Sequence, residues 1–138
     1  MVWEETEEAY KYTITVTLKG GVTSVIKLNE VGVRLPVGYS YQPGSAVGFG
    51  GNLSIEEPNK NDVDPAGAEL RGWVFGTPRP DLEPDNPVRT QSFYVTGEGE
   101  LEGDYTWVVA QDTDIGTVGE VTGELYRITA TATNPDVA

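Results

Sequence analysis

Carboxylates are the only side chains in this sequence that offer themselves for catalysis. The chain has no histidine and no cysteine, so it lacks an imidazole base, a thiolate nucleophile and an ordinary zinc ligand set. What it has is 22 acidic residues against 9 basic ones. Asp62 and Asp64, and Asp112 and Asp114, fall in expected loops; Glu98, Glu100, Glu102 and Asp104 line an expected hairpin. Glycoside hydrolysis needs two carboxyl groups roughly 5–9.5 Å apart, one of them kept protonated by its surroundings. Nothing in the apolar pattern singles out a buried acid. In so acidic a chain such pairs arise from composition, and the expectation is a protein that is not an enzyme and uses no cofactor.

A hard cation such as Ca2+ is the next chemistry these oxygens suit. Asp112-Thr113-Asp114 and Asp81-Leu82-Glu83-Pro84-Asp85-Asn86 place oxygen ligands at alternate positions, as such an ion requires. Counted from Asp112 or Asp81, the twelfth residue is Gly123 or Ser92, not the glutamate of an EF-hand loop. Asp81, Glu83, Asp85, Asp112 and Asp114 are therefore the metal candidates, with solvated turns as the alternative and no bound metal as the expectation.

Aromatic side chains could instead form a platform for sugar rings. Tyr39 and Tyr41, beside Pro43-Gly44, are the better candidates, with Phe49 nearby. Trp107 shares its alternation with Leu101, Tyr105 and Val109, and Trp73 lies in an apolar segment, so both tryptophans are expected in the core. Gly48-Phe49-Gly50-Gly51 is followed by no Lys-Ser/Thr and opens no helix, so it is not a phosphate loop. Asn52-Leu53-Ser54 has the spelling of a glycosylation site but lies within an expected strand.

The elements that must position these residues are strands. The sequence has 17 Val and 15 Thr against 8 Ala and 8 Leu, with 17 Gly and 9 Pro to make turns. Tyr10, Tyr12, Ile14, Val16 and Leu18 alternate with Lys11, Thr13, Thr15, Thr17 and Lys19, which is strict period two. A three-residue loop, Lys19-Gly20-Gly21, would fold Val22–Leu28 back on this strand as a bulged hairpin. That register sets Leu18 opposite Val22, Ile14 opposite Ile26 and Tyr12 opposite Leu28, with Gly21 left-handed.

Val31–Val37 suggests a third strand, ending on an edge at Pro36. Val47–Ile55 reads as a strand bent at Gly50-Gly51, and Ala68–Phe75 as one buried on both faces. Val88–Thr96 and Leu101–Ala110 read as a hairpin. In the last strand Tyr126, Ile128, Ala130 and Ala132 oppose Arg127, Thr129, Thr131 and Thr133. Residues 1–8 are a polar leader anchored only by Trp3, residues 76–88 a Pro-rich surface arm, and residues 134–138 a frayed end. The fold expected is a single all-β domain over 1–138: an antiparallel sandwich or barrel of about eight strands with extended loops and arms.

Composition sets the partners. The formal net charge is −13 and the basic residues are scattered singly. A nucleic-acid or anionic-membrane partner would need them clustered. No apolar run approaches the roughly 20 residues that span a bilayer. The acidic start has neither a basic region nor an apolar stretch, so no signal peptide is expected. With only 4 Lys among 138 residues, the balance resembles proteins of salt-loving organisms.

Over its whole length the chain also resembles virion accessory proteins: short, cysteine-free, Thr/Val/Gly-rich β domains with extended arms. Tail-tube subunits and capsid decoration proteins of tailed viruses have that layout. The resemblance implies a homo-oligomeric structural protein, made in the host cytoplasm and carried in the virion. Its contacts are expected at Trp3, at Thr13, Thr15 and Thr17, at Pro78, Pro80, Pro84 and Pro87, and at Thr129, Thr131 and Thr133. A carbohydrate-binding or adhesion module is the alternative, with a glycan as partner.

Overall fold

The structure is a computed structural model that describes residues 8–46, 57–75, 80–97, 106–112, 118–119 and 126–133. Among them are ten strands: β1 (Glu8–Leu18), β2 (Ile26–Arg34), β3 (Ser40–Tyr41), β4 (Lys60–Val63), β5 (Glu69–Val74), β6 (Asp81–Leu82), β7 (Val88–Gly97), β8 (Thr106–Asp112), β9 (Val118–Gly119) and β10 (Tyr126–Thr133). β3, β6 and β9 are two residues long, which is why sequence alternation does not register them.

The strands form two antiparallel sheets. The first runs β10-β1-β7-β3, the second β4-β5-β2-β8-β9 with β6 also on β2. The open choice between sandwich and barrel resolves to a sandwich, since neither sheet closes on itself among the described residues. The strands carry their apolar side chains on one parity and must cover that face. β1 buries Tyr10, Tyr12, Ile14, Val16 and Leu18, and β7 buries Gln91, Phe93 and Val95; they meet Ile26, Leu28, Val31, Val33, Trp73, Leu82, Val108 and Ala110 of the other sheet. Trp73 is fully buried, as its segment predicts. It lies 5.0 Å from Phe93 and 6.1 Å from Tyr41 between ring centroids, and Phe93 stacks on Tyr12 at 5.3 Å.

Two expected hairpins are corrected. Gly21 does adopt the left-handed conformation (φ 88°), and Val22 N–H reaches the Lys19 carbonyl at 3.3 Å. Yet β1 does not pair with β2: it pairs with β10 on one side and β7 on the other, and Ile14 lies opposite Ala130 and Gln91 rather than Ile26. The turn carries the chain from one sheet to the other. β7 and β8 likewise lie in different sheets.

The physical reason lies partly in β2. Its buried residues change parity, from Ile26 and Leu28 to Val31 and Val33, across an irregularity between Leu28 and Glu30. A bulge of this kind absorbs one extra residue and keeps both halves facing the core. The two expected strands Val22–Leu28 and Val31–Val37 are thus largely one. One edge of β2 changes partner at the same point: β6 pairs with Ile26 and Lys27, β5 with Glu30–Arg34. Between them Leu28 N–H bonds the Pro80 carbonyl (2.8 Å) and Phe75 N–H bonds the Asn29 carbonyl (2.9 Å).

The segment read as a free arm is therefore partly built into the sheet. Asp81–Leu82 is a strand, Leu82 and Pro80 are buried, and the Pro87 carbonyl accepts from Leu18 N–H at 2.7 Å. Pro84 and Pro87 are exposed; Pro78 lies outside the described residues, as do Trp3, Val47–Ile55 and the expected C-terminal end. Among the described residues there is no helix long and apolar enough to cross a membrane.

Candidate functional site

Trp107 is not in the core. In β8 the buried residues are Val108 and Ala110, so Trp107 and Val109 face outward from the second sheet. The register places Trp107 opposite Gly32 of β2, Gly32 opposite Gly72 of β5, and Gly72 opposite Lys60 of β4. The indole extends along that row. A Cβ at Gly32 would meet three consecutive ring atoms, Cζ2, Cε2 and Cη2, at 2.0, 2.3 and 2.5 Å, and a Cβ at Gly72 would meet Cζ2 at 3.3 Å. Nearly equal distances to three consecutive atoms mean that the ring presents its face to the glycine. Any side chain at position 32 would occupy the space of the ring, which is what glycine in a strand often signals.

Hydrogen bonds hold the ring in place. Trp107 Nε1–H donates to Glu30 Oε2 at 2.5 Å, and Lys60 Nζ reaches the same carboxylate at 3.4 and 3.5 Å. The neighbouring rows add Val74 and Val109 beside Glu30, and Asp62 and Leu70 beside Arg34. Val74 is 41% exposed. The result is a half-buried indole lying flat on a sheet, with carboxylate and ammonium groups at its rim.

The outer face of the first sheet is different. Its rows, read across β10, β1 and β7, are Thr133–Lys11–Tyr94, Thr131–Thr13–Ser92, Thr129–Thr15–Thr90 and Arg127–Thr17–Val88. Thr96 opposite Ser40 of β3 extends the last strand pair. Thr129 and Thr131 are exposed, and Thr13, Thr15 and Thr17 half-buried. Thr13, Thr15 and Thr17 of β1 and Thr129 and Thr131 of β10 thus form one hydroxyl-lined surface; of Thr133 only the backbone is described.

The remaining candidates are dispersed. Tyr39 and Tyr41, expected as a platform, are buried. Tyr39 packs on Gly97 and against Tyr10, and burial, then the Glu57 carboxylate, raises the Tyr41 phenol pKa. Asp81 pairs with Arg89, whose Nη2 is 3.4 Å from Oδ1 and whose Nε donates to the Asp81 carbonyl at 2.8 Å. Glu83 and Asn86 exchange backbone hydrogen bonds across the Pro84-Asp85 turn. Only the backbone of Asp112 is described, and Asp114 lies outside the described residues, with Glu98, Glu100, Glu102 and Asp104. Among the described residues no three acidic side chains gather as a cation cage.

Asp64 organises a turn. Its Oδ2 accepts from Arg34 Nε at 2.7 Å, and its Oδ1 accepts from Ala68 N–H at 3.0 Å and Ala66 N–H at 2.9 Å. The Arg34 bond first, then the Ala68 amide, hold its carboxyl pKa below the ordinary 3.8. A depressed carboxylate pKa stabilises the fold above the unfolded value, and that contribution is lost as pH falls through the folded one. Asp64→Asn is expected to lower the thermal midpoint at neutral pH. It should also flatten the loss of stability on acidification below about pH 4, the region set by carboxylate protonation. An unchanged acid limb in a pH series of thermal melts would remove Asp64 from that role.

The glycines were the signal for the indole site. Gly32 and Gly72 each interrupt an apolar strand pattern, and such positions mark close approach by another group. No family model, curated protein or solved structure matches this chain.

Proposed function

We propose that this domain is a non-enzymatic structural subunit that associates with copies of itself through the outer face of its first sheet and the β10 edge of that sheet. The observation that carries this reading is a charge pattern. The chain has a formal charge of −13, yet the outer-face positions of β10, β1 and β7 hold no acidic residue, only Lys11 and Arg127 among hydroxyl and small or aromatic side chains. Molecules of such charge repel, and they approach most easily where acids are missing.

The edge supports the same surface. β10 is eight residues long and pairs with β1 in unbroken register. Among the described strands nothing pairs with its other side. A long regular edge invites another strand unless proline, a bulge or charge blocks it; β10 has Arg127 alone. The edge strand β4, by contrast, is four residues long and carries Lys60 and Asp62. Two-fold pairing of β10 with β10 would give an isologous contact. The setting we assign, from composition and layout, is a virion: a capsid decoration or tail-tube type subunit, whose partners are itself and neighbouring proteins rather than nucleic acid or membrane.

Size-exclusion chromatography with light scattering tests the proposal. The wild-type protein is expected to be oligomeric, and more so as salt rises from 0.15 to 1 M and the screening length falls from about 8 to about 3 Å. Continued gains into molar salt would fit a halophilic source. Thr129→Asp combined with Thr131→Asp places acids on the face and should return the protein to monomer with its circular dichroism unchanged. A wild-type monomer at every salt concentration, or an oligomer indifferent to both substitutions, would defeat the proposal.

A further inference from the structure

We infer that the outer face of the second sheet is a binding site for a neutral glycan, with Trp107 as the stacking platform. An indole face carries the negative part of its quadrupole, and the apolar C–H face of a pyranose presents weakly positive hydrogens to it. One face of the Trp107 ring lies on Gly32 and Gly72; the opposite face points away from the sheet. Two glycines in one row remove the side chains that would tilt the ring, and the bond from Nε1–H to Glu30 fixes its rotation. A platform held in this way loses little freedom when a ligand arrives.

The rim supplies what sugar hydroxyls need. Glu30 and Lys60 stand beside the ring, and Arg34 and Asp62 occupy the next row. Carboxylates accept from hydroxyls, and ammonium and guanidinium groups donate to them. With Asp64, which pairs with Arg34 at 2.7 Å, the rim holds three acids and two bases, so it offers no excess of positive charge, and the chain as a whole carries −13. A polyanionic glycan would meet the repulsion of the whole molecule without a compensating basic cluster. The ligand class is therefore uncharged pyranose chains. This site lies on the sheet opposite the hydroxyl-lined face, so it stands or falls independently of self-association.

The chain has three tryptophans, so nitrogen-15 spectra give separable indole N–H signals, assigned with single Trp→Phe variants. Titration with the hexasaccharides of β-1,4-glucose, α-1,4-glucose, β-1,4-mannose and β-1,4-xylose tests the inference, with an oligogalacturonide as the anionic probe. At least one neutral hexasaccharide should shift the Trp107 signal saturably, with Kd between about 10 μM and 1 mM, and leave the Trp73 signal in place. Trp107→Ala, with circular dichroism unchanged, should weaken that binding at least about tenfold. The inference is overturned if no neutral hexasaccharide moves the Trp107 signal up to about 10 mM, or if the oligogalacturonide binds as well as they do. It is equally overturned if the signal moves with protein concentration alone, which would make this face a contact with a second copy.

Discussion

Replacing Trp73 by alanine is expected to destabilise the protein by about 3–5 kcal/mol, the cost of emptying a large aromatic site in a packed interior. Trp73 is fully buried. It belongs to the second sheet but contacts Phe93 and Tyr41 of the first, with centroids 5.0 and 6.1 Å away. Its ring thus joins the two layers, and no neighbouring side chain can follow it without moving one sheet. Trp107→Ala should cost less than half as much, because that ring is half-buried and rests on glycine at the outer face. Urea unfolding of both variants, at constant denaturant slope, measures the difference. Equal losses would mean that the outer indole is as firmly packed as the inner one.

Why one tryptophan was legible in the sequence and the other was not follows from their neighbours. Trp73 lies in a segment expected to be buried on both faces, so either parity placed it in the core; it is buried, although Val74 on the other face is 41% exposed. Around Trp107 both parities are apolar: Trp107 and Val109 on one, Val108 and Ala110 on the other. The alternation of Trp107 with Leu101, Tyr105 and Val109 pointed to the wrong face, because Val108 and Ala110 make the other parity apolar too. The choice is made across the sheet, by glycines at 32 and 72 that leave room for an indole on the outside. Such a complement becomes visible only when three strands are aligned.

Face and partner are likewise separate kinds of information. Period two in β1 identifies which side chains are buried, and Tyr10, Tyr12, Ile14, Val16 and Leu18 are. It does not say which strand lies alongside. The left-handed glycine expected at position 21 is present, but a turn at Gly20-Gly21 serves a crossover between sheets as well as a hairpin. The parity change in β2 was the available sign: a strand with a bulge at its centre is a poor in-register partner for the regular β1. Tyr39 and Tyr41 looked like loop residues because β3 is only two residues long, and pairing with β7 is what places Tyr41 in the core.

Gln91→Met is expected to raise stability by about 1–3 kcal/mol, the usual penalty for a buried polar group without a partner. Gln91 is fully buried on the inner face of β7, opposite Ile14 and two positions before Phe93. Among the described residues neither its amide nitrogen nor its carbonyl oxygen has a hydrogen-bond partner. Methionine keeps the length and flexibility of the side chain while removing the groups that must give up water. Gln91→Ala separates this effect from packing, since it removes the same polar atoms but opens a cavity and should destabilise. A Met variant that is stabilised beside an Ala variant that is not would identify Gln91 as a desolvated amide. Loss of stability in the Met variant would instead mean that the amide is satisfied by a buried water, which costs stability to displace.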